Sequence, residues 1–139
     1  MVTAETFKRG VNKGLSTTWE LTKVVVPVYI FVTFLSYTPI LEWLAKACQP
    51  FMYYLGLPGE ASLALVMGMS INLYAAIGVM TTLALTSKEV TILAMMLLLC
   101  HSLPMETAVA KRTGVSGSFV VIMRLILSLI SGLILNILM

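Results

Sequence analysis

Three stretches of this chain carry the polar groups that could do chemistry. In Gly68-Met69-Ser70-Ile71-Asn72, a glycine and two polar side chains interrupt an apolar run. In Cys100-His101-Ser102-Leu103-Pro104-Met105-Glu106, a histidine, a hydroxyl and a carboxylate surround a proline-led helix start. The third is Arg124, a lone cation inside a long apolar segment. Such groups are costly in an apolar medium and tend to mark a ligand path or a contact within protein. An interrupted helix presents end carbonyls on one side of the gap and starting amides on the other, a pairing suited to ions and polar solutes. Ser70, Asn72, His101, Ser102 and Glu106 are therefore the candidate substrate-binding residues. Two bland roles stand beside that reading. Asn72 can serve only as a hydrogen-bond partner between helices. Arg124 can snorkel, or pair structurally with Glu106 or Glu60.

Other chemistries find little support. The chain has one histidine and no aspartate, and it lacks Ser-x-x-Lys, Gly-x-Ser-x-Gly and a phosphate loop. An enzyme is not expected, and no cofactor is implied. His101 alone does not make a metal centre, and Cys48 and Cys100 form no CxxC pair. The nine Lys and Arg residues form no long stripe, so nucleic acid is not an expected partner.

The elements that position these groups follow from composition. Of 139 residues, 59% are hydrophobic and 11% charged, and the mean hydropathy is +0.98. Soluble domains carry about 25% charged residues. The expected class is an all-α integral membrane protein. It has a single membrane domain over 1–139, about three to four spanning helices, interfacial amphipathic helices, and a broken or re-entrant helix.

Residues 4–19 place Phe7, Val11, Leu15 and Trp19 four apart, with Lys8, Arg9 and Lys13 largely off that stripe. This predicts an amphipathic surface helix over the first 19 residues, with Trp19 at headgroup level. Residues 21–37, containing Pro27, read as the first crossing. No small-residue cleavage site follows it, so it is expected to stay in the mature protein. Over 40–55, Leu41, Leu44, Ala45, Cys48, Phe51, Met52 and Leu55 share a helical face, opposite Glu42, Lys46 and Gln49. That helix is expected to lie along the far interface. The uncharged run 61–85 is long enough to cross.

Residues 90–103 are too short for a full crossing, and 105–113 read as a second short helix ending in Lys111 and Arg112, where cations are favoured. The last crossing, 119–138, carries a polar stripe of Arg124, Ser128, Ser131 with Gly132, and Asn136, predicted to face protein as a structural contact or subunit interface. With the basic amino terminus inside, 61–85 returns the chain to the inside. A re-entrant 90–113 then keeps Lys111 and Arg112 there, as the positive-inside rule prefers; a full crossing would put them outside. The re-entrant version is adopted as the expectation.

Ile40-Leu41-Glu42-Trp43-Leu44, Gln49-Pro50-Phe51-Met52 and above all Gly56-Leu57-Pro58-Gly59-Glu60-Ala61 carry a resemblance. From about Gly14 onward the chain resembles small bacterial membrane proteins with a nucleoside-recognition, or Gate, domain, including the spore maturation protein A and B group. It departs from that pattern at Ser70-Ile71-Asn72-Leu73 and His101-Ser102-Leu103-Pro104, where relatives have a more glycine-rich and an Asn-Pro-type break. The resemblance implies a multi-pass protein of the bacterial inner membrane that pairs with itself or with a paralogous Gate subunit. It also implies transport of a small polar solute or ion through broken helices, or else a non-transporting scaffold.

Overall fold

The computed structural model describes residues 4–139 and their side chains, except those of Val24, Val28, Val32, Leu35, Ser36 and Leu41. Leu41, expected on the apolar face of 40–55, and the first three residues of the expected surface helix therefore lie outside the described set. Seven helices are seen among the described residues: α1 (Ala4–Ser36), α2 (Pro39–Tyr54), α3 (Ala61–Ser70), α4 (Leu73–Met80), α5 (Ser87–Leu99), α6 (Leu103–Arg112) and α7 (Gly117–Leu138).

The surface helix and first crossing expected at the amino end form one continuous helix, α1, of 33 residues, about 50 Å long. Nothing breaks the chain between them. Thr22 Oγ1 donates to the Thr18 carbonyl at 2.8 Å, and Lys23 pairs with Glu20 one turn back at 2.7 Å. Pro27 lies inside the helix without ending it. Phe7, Leu15 and Trp19 are exposed along the first half.

Helix α2 starts where Pro39 fixes the first turn. Its Ala45, Met52 and Leu55 are buried as the periodicity predicts, whereas Phe51 is exposed. Glu42 and Lys46 pair at 3.9 Å on the open face.

The run 61–85 does not cross as one helix. At Asn72 the backbone is extended (φ −168°, ψ 169°), and the side-chain Oδ1 accepts from the Ala75 N–H at 2.9 Å, capping a new helix. The chain reverses there. Ala64 packs with Val79, and Gly68 sits against Ala76. Helices α3 and α4 thus form a hairpin whose arms of ten and eight residues are about 15 and 12 Å long, each short of a bilayer core of about 30 Å.

The opposite correction applies to 90–113. Helix α5 opens on a capping box, with Glu89 N donating to Thr86 Oγ1 and Thr86 N to Glu89 Oε2. It stops at Leu99, and α6 begins at Leu103. Yet the two do not fold back on each other. Helix α7 meets Lys88 at Asn136, Met96 at Ser128, Leu99 at Arg124, and Thr107 with Lys111 at Gly117. These contacts step in opposite directions, so α7 runs antiparallel along both pieces, and Ser87–Arg112 is one discontinuous rod. This stretch of 26 residues and α7 with 22 are the two described segments long and apolar enough to cross a membrane.

Helix α5 is the core of the fold. Ile92, Leu93, Met96 and Leu97 are fully buried against Met52, Leu55, Leu57, Ala61, Leu65 and Ala76. Outside that core much remains uncovered. The accessible surface is 9109 Å², against about 7,100 Å² for a compact soluble chain of this mass, and Ile122, Ile126, Ile130 and Ile134 of α7 lie open.

Candidate functional site

The gap between α5 and α6 is bonded to the last turn of α3, just before the break at Asn72. The Ser102 N–H, in the gap between α5 and α6, donates to the Gly68 carbonyl near the hairpin tip at 2.9 Å. Gly68 permits the approach: a Cβ there would stand 2.5 Å from Leu97 Cδ2 and 2.9 Å from Ala76 Cβ. Three helices therefore converge on one glycine. Ser102 itself is left-handed (φ 47°), the sole non-glycine residue at positive φ among those described. That conformation turns the chain just enough for Leu103 and Pro104 to restart a helix.

Three ionisable side chains gather at the same gap. Arg124, reaching over from α7, donates through Nε to the Leu99 carbonyl at 2.8 Å, and its guanidinium pairs with the Glu106 carboxylate. The other oxygen of Glu106 is 3.2 Å from His101 Nδ1, close enough for an ion pair with a protonated ring but without hydrogen-bond alignment. Arg124 and Glu106 have side chains 14% and 32% exposed. Their placement has an electrostatic reason. Arg124 sits at the carboxyl end of α5, where unpaired carbonyls favour a cation, and Glu106 in the first turn of α6, where unpaired amides favour an anion. Of the two acids the sequence offers to Arg124, the structure selects Glu106.

His101, Ser102 and Glu106 thus share one place with Arg124, and the hairpin tip carrying Ser70 and Asn72 is drawn to it through Gly68. Ser70 and Ile71, at the tip itself, are exposed. Asn72 is half-buried, with its Oδ1 engaged in capping α4. Among the described residues, no three His, Cys, Asp or Glu side chains come together as a metal site. The gap offers a carboxylate whose charge is offset by the Arg124 guanidinium, with amide, hydroxyl and imidazole groups nearby, a set suited to holding a small polar solute.

The rest of the α7 stripe turns inward on this same chain. Ser128 is fully buried and donates to the Met96 carbonyl at 3.0 Å. Gly132 packs on Met96 and Leu55, and Ser131 donates to the Ser128 carbonyl within α7. Asn136 Nδ2 donates to the Tyr54 carbonyl at 3.1 Å.

The Gly56–Ala61 turn has a packing role. Gly56 takes φ 68° against the Asn136 side chain, Leu57 is buried, and the Gly59 N–H donates to Gln49 Oε1 at 3.0 Å. A cavity of about 580 Å³, lined by Tyr53, Tyr54, Leu57, Glu89 and Asn136 among others, lies at this turn and not at the gap. Sequence reasoning missed Gln49 as its anchor; a glutamine on the polar face ten residues before a Pro-Gly turn was the available signal.

Comparison with known families places this arrangement. The profile of the Gate family, described as nucleoside recognition, matches residues 18–116, more than half of the chain. The chain belongs to the Gate family. Among its relatives, the uncharacterized membrane protein YvoD of Bacillus subtilis (strain 168) is 42% identical over 130 residues, which are 94% of this chain and 42% of that protein. The inner membrane protein YjiG of Escherichia coli (strain K12) is 34% identical over 92 residues, 63% of this chain and 60% of the relative. The chain therefore spans about half the length of these relatives. No solved structure matches it. The matched Gate region holds the hairpin, the rod and Glu106 but stops before α7, so Arg124 reaches the gap from outside it.

Proposed function

We propose that this Gate protein is an integral membrane subunit of a transporter-like assembly for a small polar solute or ion, working as a homo-oligomer or with a paralogous Gate subunit. The observation that carries the reading is the Ser102–Gly68 bond, which ties the gap between α5 and α6 to the last turn of α3, just before the second interruption, beside the Glu106–Arg124–His101 group. Paired broken helices are the arrangement that transporters use to hold a substrate at mid-membrane. Ser70, Asn72, Ser102, His101 and Glu106 contact the solute, and Arg124 neutralises and positions Glu106. A second unit closes over the side on which Ser70 and Ile71 lie open. The large uncovered apolar surface fits lipid together with such a partner. No enzymatic step is assigned.

In the bacterial inner membrane, α1, the α5–α6 rod and α7 make three crossings, and the α3–α4 hairpin enters and leaves on one side. The hairpin returns the chain to the side it came from, so the full crossing by α5–α6 brings Lys111 and Arg112 to the same side as Lys8, Arg9 and Lys13, as positive-inside requires. The scaffold alternative was motivated by the α7 stripe as a subunit interface; those side chains bond within the chain, so no specific observation favours it.

The test is a thermal-unfolding screen of the detergent-purified protein against nucleosides, small carboxylates, amino acids and divalent cations. One class should raise the midpoint saturably, by an amount corresponding to about 2.7 kcal/mol at one hundred times its dissociation constant. Because Asn72 also caps α4, the informative variant is Asn72→Ser, which retains a capping oxygen but lacks the amide. It should abolish the shift while costing little stability. A shift from no class, or one that survives Asn72→Ser, Ser102→Ala and Glu106→Gln alike, would refute the assignment.

A further inference from the structure

We propose that the groove between α6 and the start of α7 holds an anionic phospholipid, with its phosphate at Lys111 and its upper acyl chain along the groove. The proposal does not depend on the transport reading: it rests on a groove that runs along α6 from beside the gap to Lys111. The groove has a volume of about 370 Å³ and is lined by Leu103, Pro104, Thr107, Ala108, Lys111 and Val121. Four of these six walls are apolar. The Lys111 side chain is laid across Gly117, the first residue of α7: a Cβ at Gly117 would stand 2.8 Å from Lys111 Cε and 3.4 Å from its Cγ. The ammonium beyond Cε is thus carried at the amino end of α7, where Ser116 makes no side-chain cap bond and free amides favour an anion.

The charge here is unopposed. Among the described residues, the ion pairs join Lys23 to Glu20, Lys46 to Glu42, and Arg124 to Glu106, which also lies beside His101. Glu106, the acid nearest in sequence, is therefore taken, and neither Lys111 nor its exposed neighbour Arg112 has a carboxylate partner. A separate observation comes from the groove wall. The Thr107 hydroxyl is buried with no hydrogen-bond partner among the described residues, although a helical threonine commonly bonds a carbonyl one turn back.

Apolar walls decide between a lipid and a free anion. An inorganic phosphate has no use for Leu103, Pro104, Ala108 and Val121, whereas an acyl chain does. Flanking residues Met105, Val109, Phe119 and Ile122 are exposed, so the groove is continuous with a surface that faces hydrocarbon. The rod of 26 residues is about 39 Å long against a core of about 30 Å. Its last turn, with Lys111, consequently falls at headgroup level. Basic pockets between membrane helices at that level suit anionic headgroups.

The experiment measures the unfolding midpoint of the full chain in neutral detergent with added phosphatidylglycerol, with phosphatidylcholine of the same acyl chains, or with inorganic phosphate. Phosphatidylglycerol should raise the midpoint saturably by about 3–5 °C, and the other two should leave it unchanged. Lys111→Gln, at an exposed position that does not threaten folding, should remove more than half of the gain. Ala108→Trp, which fills the groove and keeps the charge, should remove it as well, and Lys46→Gln on α2 should not. An equal shift with phosphatidylcholine, a full shift with phosphate alone, or an undiminished shift in Lys111→Gln would each overturn the proposal.

Discussion

The turn at Asn72 and the gap at Ser102 are both two- or three-residue interruptions of an apolar helical run, and they send the chain in opposite ways. At Asn72 the backbone is extended, the asparagine caps the next helix by itself, and α4 folds back along α3. At Ser102 the backbone is left-handed, and α6 continues alongside the helix that already flanks α5. The first break is self-sufficient, because its side chain serves its own neighbour. The second depends on a distant residue, since Arg124 supplies both the donor for Leu99 and the counter-charge for Glu106. What a break does is therefore set by who satisfies the freed backbone groups, and the composition of the break alone does not decide it.

That contrast can be broken at its strongest point with Arg124→Met. The substitution strips Glu106 of its main counter-charge and Leu99 of its donor, and should cost about 3 kcal/mol in chemical unfolding. Adding Glu106→Gln should return at least half of that. If Arg124→Met costs less than about 1 kcal/mol, the value of an ordinary lost cap, the second break is no more dependent than the first. The junction of the second break with α3 is probed by Gly68→Ala. Its methyl presses on Ala76 Cβ, which cannot rotate away, so a loss of about 1–3 kcal/mol is expected together with weakened solute binding. The smallest effect concerns backbone handedness. Ser102→Gly should unfold within about 0.5 kcal/mol of the parent, while Ser102→Val should lose about 1 kcal/mol, because a β-branched residue resists positive φ. Equal behaviour of these two variants would show that the left-handed turn carries no cost.

The positions of both breaks were legible, because Asn72, His101 and Ser102 stand out chemically from the apolar runs around them. Most of the buried face of α2 was legible too, whereas the capping box of Thr86 and Glu89 starts α5 three residues before the 90–103 segment. What followed each break was not. The direction of the chain after Asn72 rests on one pair of dihedral angles and on the close fit of Ala64, Gly68, Ala76 and Val79. That of α6 rests on α7, which lies further along the chain. The run 61–85 therefore read as one helix and 90–113 as a fold-back, whereas the structure has a hairpin in the first and a straight, interrupted rod in the second. The pairing of Arg124 with Glu106 was among the expected ones, but the bonds of Arg124 and Ser128 to the carbonyls of Leu99 and Met96 were not, because backbone groups carry no residue-specific signature.

The hairpin has a consequence for symmetry. A segment that enters and leaves on one side adds nothing to the crossing count, so on the three-crossing reading the count is odd and the ends of the described chain lie on opposite faces of the bilayer. A second unit of this design joined to the first in one polypeptide would then insert upside down. The two would be related by a two-fold axis lying in the membrane plane. Two separate chains of equal orientation would instead be related by an axis along the membrane normal, and would present Lys111 and Arg112 to the same leaflet. On the three-crossing reading, the turn at Asn72 thus decides which way up a fused second unit would sit.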